Sequence, residues 1–241
     1  MKGLGTIINS AAVIIGGVLG IVIKKGINEN IKNSLLRACG LATVFLGIAG
    51  AMTKMLVFKD GSLETTGTMT LIFSLVIGTL IGELAKIEDG MEKLGEKIRK
   101  KAGGENDGGF IDDFVNTSLV ICVGAMAIVG SIEDGTRGDY SMLAAKAVLD
   151  GILVMVFSST YGKGAVFSVI PLFVFQGTIT AISALCGSFL TQSMVDNISY
   201  VGSVLIFCVG VNIAFKKLFR VGNMLPAVVL PVIYELVRSV F

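Results

Sequence analysis

The chain has 241 residues, of which 53% belong to the apolar set AVILMFWYC, 31 are glycine and only 16% are charged. This apolar excess excludes a disordered chain and argues strongly against a soluble globular domain, in which about 25% of residues are charged. The net charge of +2 gives no sign of nucleic-acid binding, and the absence of histidine excludes a Ser-His-Asp triad, a Cys-His nucleophile and a histidine-ligated zinc site.

Long apolar segments recur along the whole chain. A helix needs about 20 mostly apolar residues to cross a hydrocarbon core about 30 Å thick. Eight segments meet this requirement, and we number them as spans one to eight: 4–23, 35–57, 68–87, 114–132, 141–161, 165–188, 198–215 and 222–240. The first is too long for a signal peptide and lacks a small-residue cleavage site, so we interpret it as a retained helix. We therefore expect an all-α, polytopic membrane helix bundle forming a single integral membrane domain over residues 1–241.

The basic residues between these spans are unevenly distributed. Fourteen lysines and arginines fall on the side of the 1–2, 3–4, 5–6 and 7–8 loops, and six fall on the other side. Because cytoplasmic loops carry the excess of positive charge, those four loops are predicted to be cytoplasmic and both termini periplasmic.

The longest of these connections, residues 88–112, is predicted to be a cytoplasmic amphipathic segment followed by a flexible glycine-rich linker, GGENDGGF. Ile87, Met91, Leu94 and Ile98 recur at helical spacing with charged residues between them. This stripe either lies in the membrane interface near anionic headgroups or belongs to a solvated extension of span three.

Short matching motifs suggest an internal repeat. Gly5-Thr6-Ile7 in span one recurs as Gly177-Thr178-Ile179 in span six. Similar motifs in spans two and three match spans seven and eight in the same order. An offset of five spans would place the second copy upside down in the membrane. Spans 1–3 and 6–8 are therefore predicted to form an inverted-topology repeat, a plan that recurs in secondary transporters.

Two charged residues interrupt span five. Lys146 and Asp150 are four residues apart and so share one face of a helix. A lone charge at the bilayer centre costs roughly 2.5–3.5 kcal/mol, so such residues are usually functional, although a self-neutralising structural pair is the alternative. We predict a substrate or ion site centred on Asp150 and Lys146.

Neutral polar residues in other spans complete this predicted site. Asn9, Gln176 and Asn212 are candidate ligands, with hydrogen bonding between helices as the alternative role. Catalytic and nucleotide-binding motifs are absent, so no enzyme activity and no cofactor are predicted. Neither the bound ion nor any metal can be identified from the sequence.

Several strings in the chain carry a resemblance to a known family: GTIINSAAVIIGGVLG, LIFSLVIGTLIGE, LVICVGAMAIVGSIEDGTRGD, AAKAVLDGI, YGKGAVFSVIPLFVFQG and VGNMLPAV. They resemble the YdfK/YqgA-like family of bacterial multipass membrane proteins, a domain of unknown function. The resemblance implies a bacterial inner-membrane protein and carries no activity. The residues that match the family pattern are Asn9, Gly16, Gly17, Glu83, Asp134, Gly135, Lys146, Asp150, Gly151, Gln176 and Pro226.

These features favour a small secondary transporter for an ion or a small polar solute, with Na⁺ or H⁺ as candidate coupling ions. A channel is a weaker alternative, because no filter-like loop or charged ring is visible. The other alternative is a non-transporting membrane scaffold or sensor, for which the basic 86–101 segment would be the docking surface. The expected partner is the lipid bilayer, and a homodimer stays open.

Overall fold

The computed structural model describes residues 2–24, 29–101, 109–122, 125–160, 162–186, 191–215 and 218–240. Within these residues the chain forms twelve helices and one two-stranded hairpin. The chain divides into two compact units, each made of segments that are distant in sequence. Unit 1 contains residues 1–39, 91–122 and 126–189, and unit 2 contains residues 40–90, 123–125 and 190–241.

Unit 1 is built around two parallel helices that approach closely. Its elements are α1 (Leu4–Lys24), the start of α2 (Glu29–Met55), most of α4 (Ile87–Lys101), α5 (Phe110–Cys122), α6 (Ala125–Arg137), α7 (Ser141–Thr160), α8 (Lys163–Phe167) and α9 (Val169–Cys186). A Cβ atom added at Gly16 of α1 would lie 2.1 Å from the carbonyl oxygen of Gly151 in α7. One added at Gly20 would lie 2.2 Å from the carbonyl oxygen of Met155. The Gly16-x-x-x-Gly20 motif thus packs two helices of the same unit.

The core of unit 1 contains an apolar cluster to which four helices contribute. Val13 of α1, Ile121 of α5, Val154 of α7 and Leu172 of α9 are in contact and fully buried. We call these four residues the apolar layer. Between membrane helices such side chains stabilise by van der Waals packing rather than by removal from water, so the layer contributes close packing among the four helices.

Unit 2 is built from antiparallel helix pairs. Its elements are the rest of α2, β1 (Leu56–Lys59), β2 (Ser62–Thr65), α3 (Thr68–Ala85), the start of α4, α10 (Gln192–Phe215), α11 (Val221–Met224) and α12 (Pro226–Val240). Gly40 of α2 faces Ala214 of α10, and Gly47 faces Phe207, so these two helices run in opposite directions. In the same way, the α11–α12 segment runs against α3, with Gly82 in van der Waals contact with Asn223.

The length and composition of the helices define a helical membrane protein. Among the described residues, five helices are long and apolar enough to cross a bilayer, or six if the bent pair α5–α6 counts as one span. Two shorter apolar helices, at residues 40–55 and 221–236, coincide with predicted spans two and eight. The prediction of membrane helices is therefore confirmed, whereas the count of eight spans stays a prediction.

Predicted span four differs from the continuous helix that we expected. It consists of α5 and α6, whose axes differ by 60°. The Ser118 hydroxyl donates to the Phe114 carbonyl at 2.5 Å, and the Ser131 hydroxyl donates to the Ala127 carbonyl at 2.6 Å. Such bonds to the preceding turn slightly bend the helices that contain them.

The end of predicted span two is also wrong, because α2 ends at Met55 and a β-hairpin follows. Asp60 and Gly61 at the hairpin turn have φ angles of 50° and 80°. An Asp-Gly pair adopts this left-handed conformation readily and so favours a tight two-residue turn.

Helix α4 confirms that residues 87–101 are helical, but part of its surface is covered. A Cβ atom added at Gly95 would lie 3.1 Å from the ring of Phe114, and Glu88 is only 1% exposed. Most of the predicted glycine-rich linker, residues 102–108, lies outside the described residues.

The two glycines that open the predicted repeat lie in different surroundings. A Cβ atom added at Gly5 would lie 2.7 Å from Leu143, whereas one added at Gly177 would meet nothing within 4 Å. This pair gives no structural support to the repeat, which stays a prediction.

Candidate functional site: a buried ion pair in unit 1

A buried ion pair lies on α7. The Lys146 ammonium group donates to both carboxylate oxygens of Asp150, each at 2.7 Å. Their side chains are only 9% and 4% exposed. The four-residue spacing on a helix places both residues on one face, as the sequence indicated.

Helix α1 contributes an amide to this pair. The Asn9 side-chain Nδ2 donates to Asp150 Oδ2 at 2.9 Å, and Asn9 is fully buried. The short asparagine side chain reaches Asp150 because Gly16 and Gly151 allow α1 and α7 to approach closely. The other amide atom, Asn9 Oδ1, is buried without a hydrogen-bond partner.

Helix α9 presents a buried stripe that includes Gln176. Leu172, Gln176 and Thr180 are spaced at helical intervals and are all buried. Leu172 packs in the apolar layer with Val13, and the Thr180 hydroxyl lies 3.5 Å from the Thr6 hydroxyl. Gln176 therefore lies between these contacts, at the level of Asn9. Both Gln176 amide atoms are buried without a hydrogen-bond partner.

The structure thus gathers four of the five predicted site residues in unit 1: Asn9, Lys146 and Asp150 by direct contact, and Gln176 by helix register. The fifth, Asn212, belongs to unit 2 and stabilises the loop after α10. Its side chain accepts from the backbone N–H groups of Leu218 and Phe219 at 2.8 and 2.9 Å and donates to the Phe219 carbonyl at 2.7 Å. These bonds give Asn212 a structural role in that loop.

Asp134 is a buried carboxylate of unit 1 that the predicted site lacked. It accepts hydrogen bonds from the backbone N–H groups of Gly3 and Gly5, at 3.0 and 2.9 Å. A carboxylate at a helix N-terminus satisfies free N–H groups and interacts favourably with the helix dipole. Asp134 thereby fixes the start of α1, one turn before Asn9. Its place at the end of an apolar segment, in the string SIEDG, resembles that of an ordinary surface residue.

Carboxylates of unit 2 lie near helix ends. Glu88, which falls in the predicted cytoplasmic segment 88–112, accepts from the Gly222 backbone N–H at 3.0 Å. The guanidinium of Arg220 pairs with Glu83 at 3.0 Å and also with Asp89. Partial burial lowers the pKa of Arg220, but these carboxylates outweigh it and hold the pKa above its ordinary value. Glu83 is therefore an ion-paired anchor at the end of α3.

The apolar helices define a helical membrane protein, and one of its units contains a buried ion pair. Residues 4–236 match the family "Protein of unknown function (DUF554)", and the chain belongs to this family. It is 31% identical over 237 residues to the uncharacterized membrane protein YdfK of Bacillus subtilis, covering 98% of this chain and 97% of YdfK.

The chain is also 33% identical over 234 residues to the uncharacterized protein YqgA of Escherichia coli, covering 94% of each. The family resemblance of the sequence is thereby confirmed. No solved structure matches the chain.

Proposed function

We propose that the protein is a small secondary transporter that moves an ion or a small polar solute through a site around Asp150. One observation carries the proposal. A buried ion pair, bound by Asn9, lies at the level of Gln176, whose amide atoms have no hydrogen-bond partner. An unsatisfied buried polar group costs about 1–3 kcal/mol, and native proteins retain few of them. A site that binds a transient solute explains why these groups persist.

The helices around the site support the same proposal. Transport sites are commonly formed where membrane helices are interrupted, because interruptions leave backbone groups available and allow segments to move. The bent pair α5–α6 contributes Ile121 to the apolar layer one helical turn from the site, and Cys122 packs against that layer.

We further propose the bacterial inner membrane as the location, eight spans, periplasmic termini and the inverted repeat of spans 1–3 and 6–8. The distribution of basic residues supports the orientation. A reporter enzyme fused after Phe241 should be active in the periplasm, and activity only in the cytoplasm would reverse the orientation. Superposition of the two triplets in an experimental structure tests the repeat, which requires a rotation of about 180° around an axis in the membrane plane.

The transport proposal is tested with purified protein in liposomes. Fluxes of Na⁺, K⁺ and H⁺ are followed with entrapped dyes, and fluxes of urea and glycerol are followed by light scattering. Asp150→Asn keeps the shape of the side chain but removes its charge, so the wild-type flux should fall at least about tenfold. Val148→Ala is the matched control, because Val148 lies on the same helix but is 63% exposed.

A double variant separates transport from a structural ion pair. If Lys146 and Asp150 only neutralise each other, Lys146→Met combined with Asp150→Asn should restore both stability and flux. The transport proposal expects stability to recover while flux stays low. Full recovery of flux, or no flux of any probe in the wild-type protein, contradicts it.

The scaffold or sensor alternative is favoured by one observation, the exposed basic end of α4. Lys97, Lys100 and Lys101 are exposed there. Substitution of all three by glutamate should leave solute flux unchanged if the protein is a transporter. Loss of a cellular signalling phenotype in a protein without measurable flux would favour the scaffold.

A further inference from the structure

We infer that unit 1 contains a pathway for small uncharged polar solutes, such as carboxamides or polyols, and that the apolar layer closes this pathway. The inference rests on the proposed transport function and specifies the class of its substrate. It is carried by the order of polar and apolar residues along the buried faces of four helices.

Three polar residues lie one helical turn away from the apolar layer, all on one side of it. Asn9 lies four residues before Val13, and Asp150 lies four residues before Val154, on helices that are parallel. Gln176 lies four residues after Leu172 on α9, which runs against α1, as the contacts Thr6–Thr180 and Gly17–Val166 require. All three therefore lie on the same side of the apolar layer and form a first polar layer.

Hydroxyl groups follow the apolar layer on its other side. Ser158 lies one turn after Val154, and Ser168 lies one turn before Leu172, which is the same direction along the unit. Both residues are fully buried.

Helix α5 adds a third hydroxyl to this second layer. Thr117, one turn before Ile121, is also fully buried. Val166 of α8 packs on Gly17 of α1, and the nearby Gly164 contacts Phe110 at the start of α5. Helix α5 therefore also runs antiparallel to α1. Thr117 then lies on the same side of the apolar layer as Ser158. The hydroxyl oxygens of Ser158 and Thr117 have no hydrogen-bond partner.

The chemistry of the two polar layers favours an uncharged solute. Lys146 already contacts both oxygens of Asp150, so the charges of the first layer cancel. An ion of either sign would meet a like charge and would lose its hydration without compensation, which costs several kcal/mol in a buried site. The unused groups are neutral: the Gln176 amide, Asn9 Oδ1 and two hydroxyls. Together they offer both donors and acceptors.

The apolar layer separates the two polar layers. Val13, Ile121, Val154 and Leu172 form one connected cluster with no exposed surface. A polar solute that crosses this layer gives up its hydrogen bonds without replacement, which makes the layer a barrier. In a transporter such a barrier opens during the cycle, whereas in a purely structural core it does not.

Hydroxyl substitution in the layer tests the pathway. Threonine is almost isosteric with valine, so Val154→Thr should let polar solutes pass more easily while changing the packing little. In liposomes that contain the purified variant, we expect urea and glycerol permeability to rise at least about tenfold above wild type. Na⁺ permeability should stay at the wild-type level, because the ion gains no compensating charge.

The controls separate a pathway from a destabilised protein. Val148→Thr makes the same substitution on the exposed face of α7 and should change nothing. Val13→Thr is a second, independent layer variant in case Val154→Thr does not fold, and circular dichroism and gel filtration monitor folding in each case. Folded layer variants that leak neither urea nor glycerol overturn the pathway, and an equal leak of Na⁺ overturns the assignment to uncharged solutes.

The leak requires no transport cycle, so it can be measured even if the wild-type protein moves nothing. A leak in the layer variants without wild-type flux would contradict the proposed transporter but retain the pathway. Wild-type flux of Na⁺ alone would contradict the substrate class but retain the transporter.

Discussion

The two units of the protein use buried polar residues differently. In unit 1, Asp150 and Gln176 lie within the helices, and the amide of Gln176 lacks hydrogen-bond partners. In unit 2, Asn212 makes three bonds to a loop, and Glu235 near the end of α12 accepts from three polar side chains of the α10 region.

Hydrogen bonding distinguishes buried polar residues with a structural role from those with a functional role. A polar group with saturated bonds at a helix end satisfies backbone atoms and fixes a loop. A polar group that is buried in mid-helix with unused bonding capacity lowers stability, so it persists only where it serves another purpose. Unit 2 also buries the Tyr200 hydroxyl without a hydrogen-bond partner, but among the described residues only in unit 1 do such groups lie at the level of a buried ion pair, which is the reason for proposing the site there.

The largest expected effect comes from breaking the ion pair. Asp150→Ala leaves the Lys146 ammonium buried without its partner, which should destabilise the protein by about 3–5 kcal/mol. Combining it with Lys146→Met should recover most of this loss. Glu235→Gln in unit 2 should cost much less, because that side chain lies near the surface. Denaturant unfolding in detergent measures all three. Equal losses for Asp150→Ala and Glu235→Gln would remove the distinction between the units.

The next effect concerns the contact between α1 and α7. Gly16→Ala forces the two helices apart, because its Cβ would lie 2.1 Å from the Gly151 oxygen, and should cost about 1–3 kcal/mol. Gly177→Ala is the control in the same unit, because its Cβ would meet nothing within 4 Å and alanine favours the helix by up to about 1 kcal/mol. The ranking of unfolding midpoints checks this, and a Gly16→Ala protein as stable as Gly177→Ala would refute the close contact.

The third effect tests whether Asn212 is structural. Asn212→Ala removes three hydrogen bonds to residues 218 and 219, each worth about 0.5–1.5 kcal/mol net. We expect a clear loss of thermal stability with unchanged solute flux in liposomes. Flux that falls while stability stays constant would return Asn212 to the substrate site, where the sequence placed it.

Local sequence spacing predicted the features that depend on a single helix. Apolar length located the membrane helices, because the bilayer imposes it, and the four-residue spacing of Lys146 and Asp150 predicted that the two would lie together. The sequence predicts the end of a span and a loop over Leu56 to Thr65, where the structure has a hairpin, because the apolar segment continues directly into the alternating residues. The Asp60-Gly61 pair was the signal that could have identified it.

Features that depend on register between helices could not be predicted from spacing. Asn9 and Asn212 are equally plausible ligands in the sequence, yet one contacts Asp150 and the other caps a loop. Glu88 and Asp134 look like surface residues because they follow apolar segments. Only the packing shows that each binds the backbone at the start of another helix.

The smallest effect is a pH dependence at the start of α7. Asp139 lies before this helix, and its carboxylate accepts from the Ser141 backbone N–H at 2.9 Å. Hydrogen bonds from the side chain and backbone of Ser141 lower the pKa of Asp139 below its ordinary value. A carboxylate whose pKa is lower in the folded state stabilises the folded state above the unfolded pKa of about 3.9. This contribution disappears as the pH falls through the folded pKa.

Asp139→Asn retains an amide oxygen that caps the helix but removes the titration. Below about pH 4, the unfolding midpoint of the wild type should therefore fall more steeply than that of Asp139→Asn. Ser141→Ala should lie between them, since it loses only the side-chain bond, and three parallel pH curves would show that Asp139 contributes nothing.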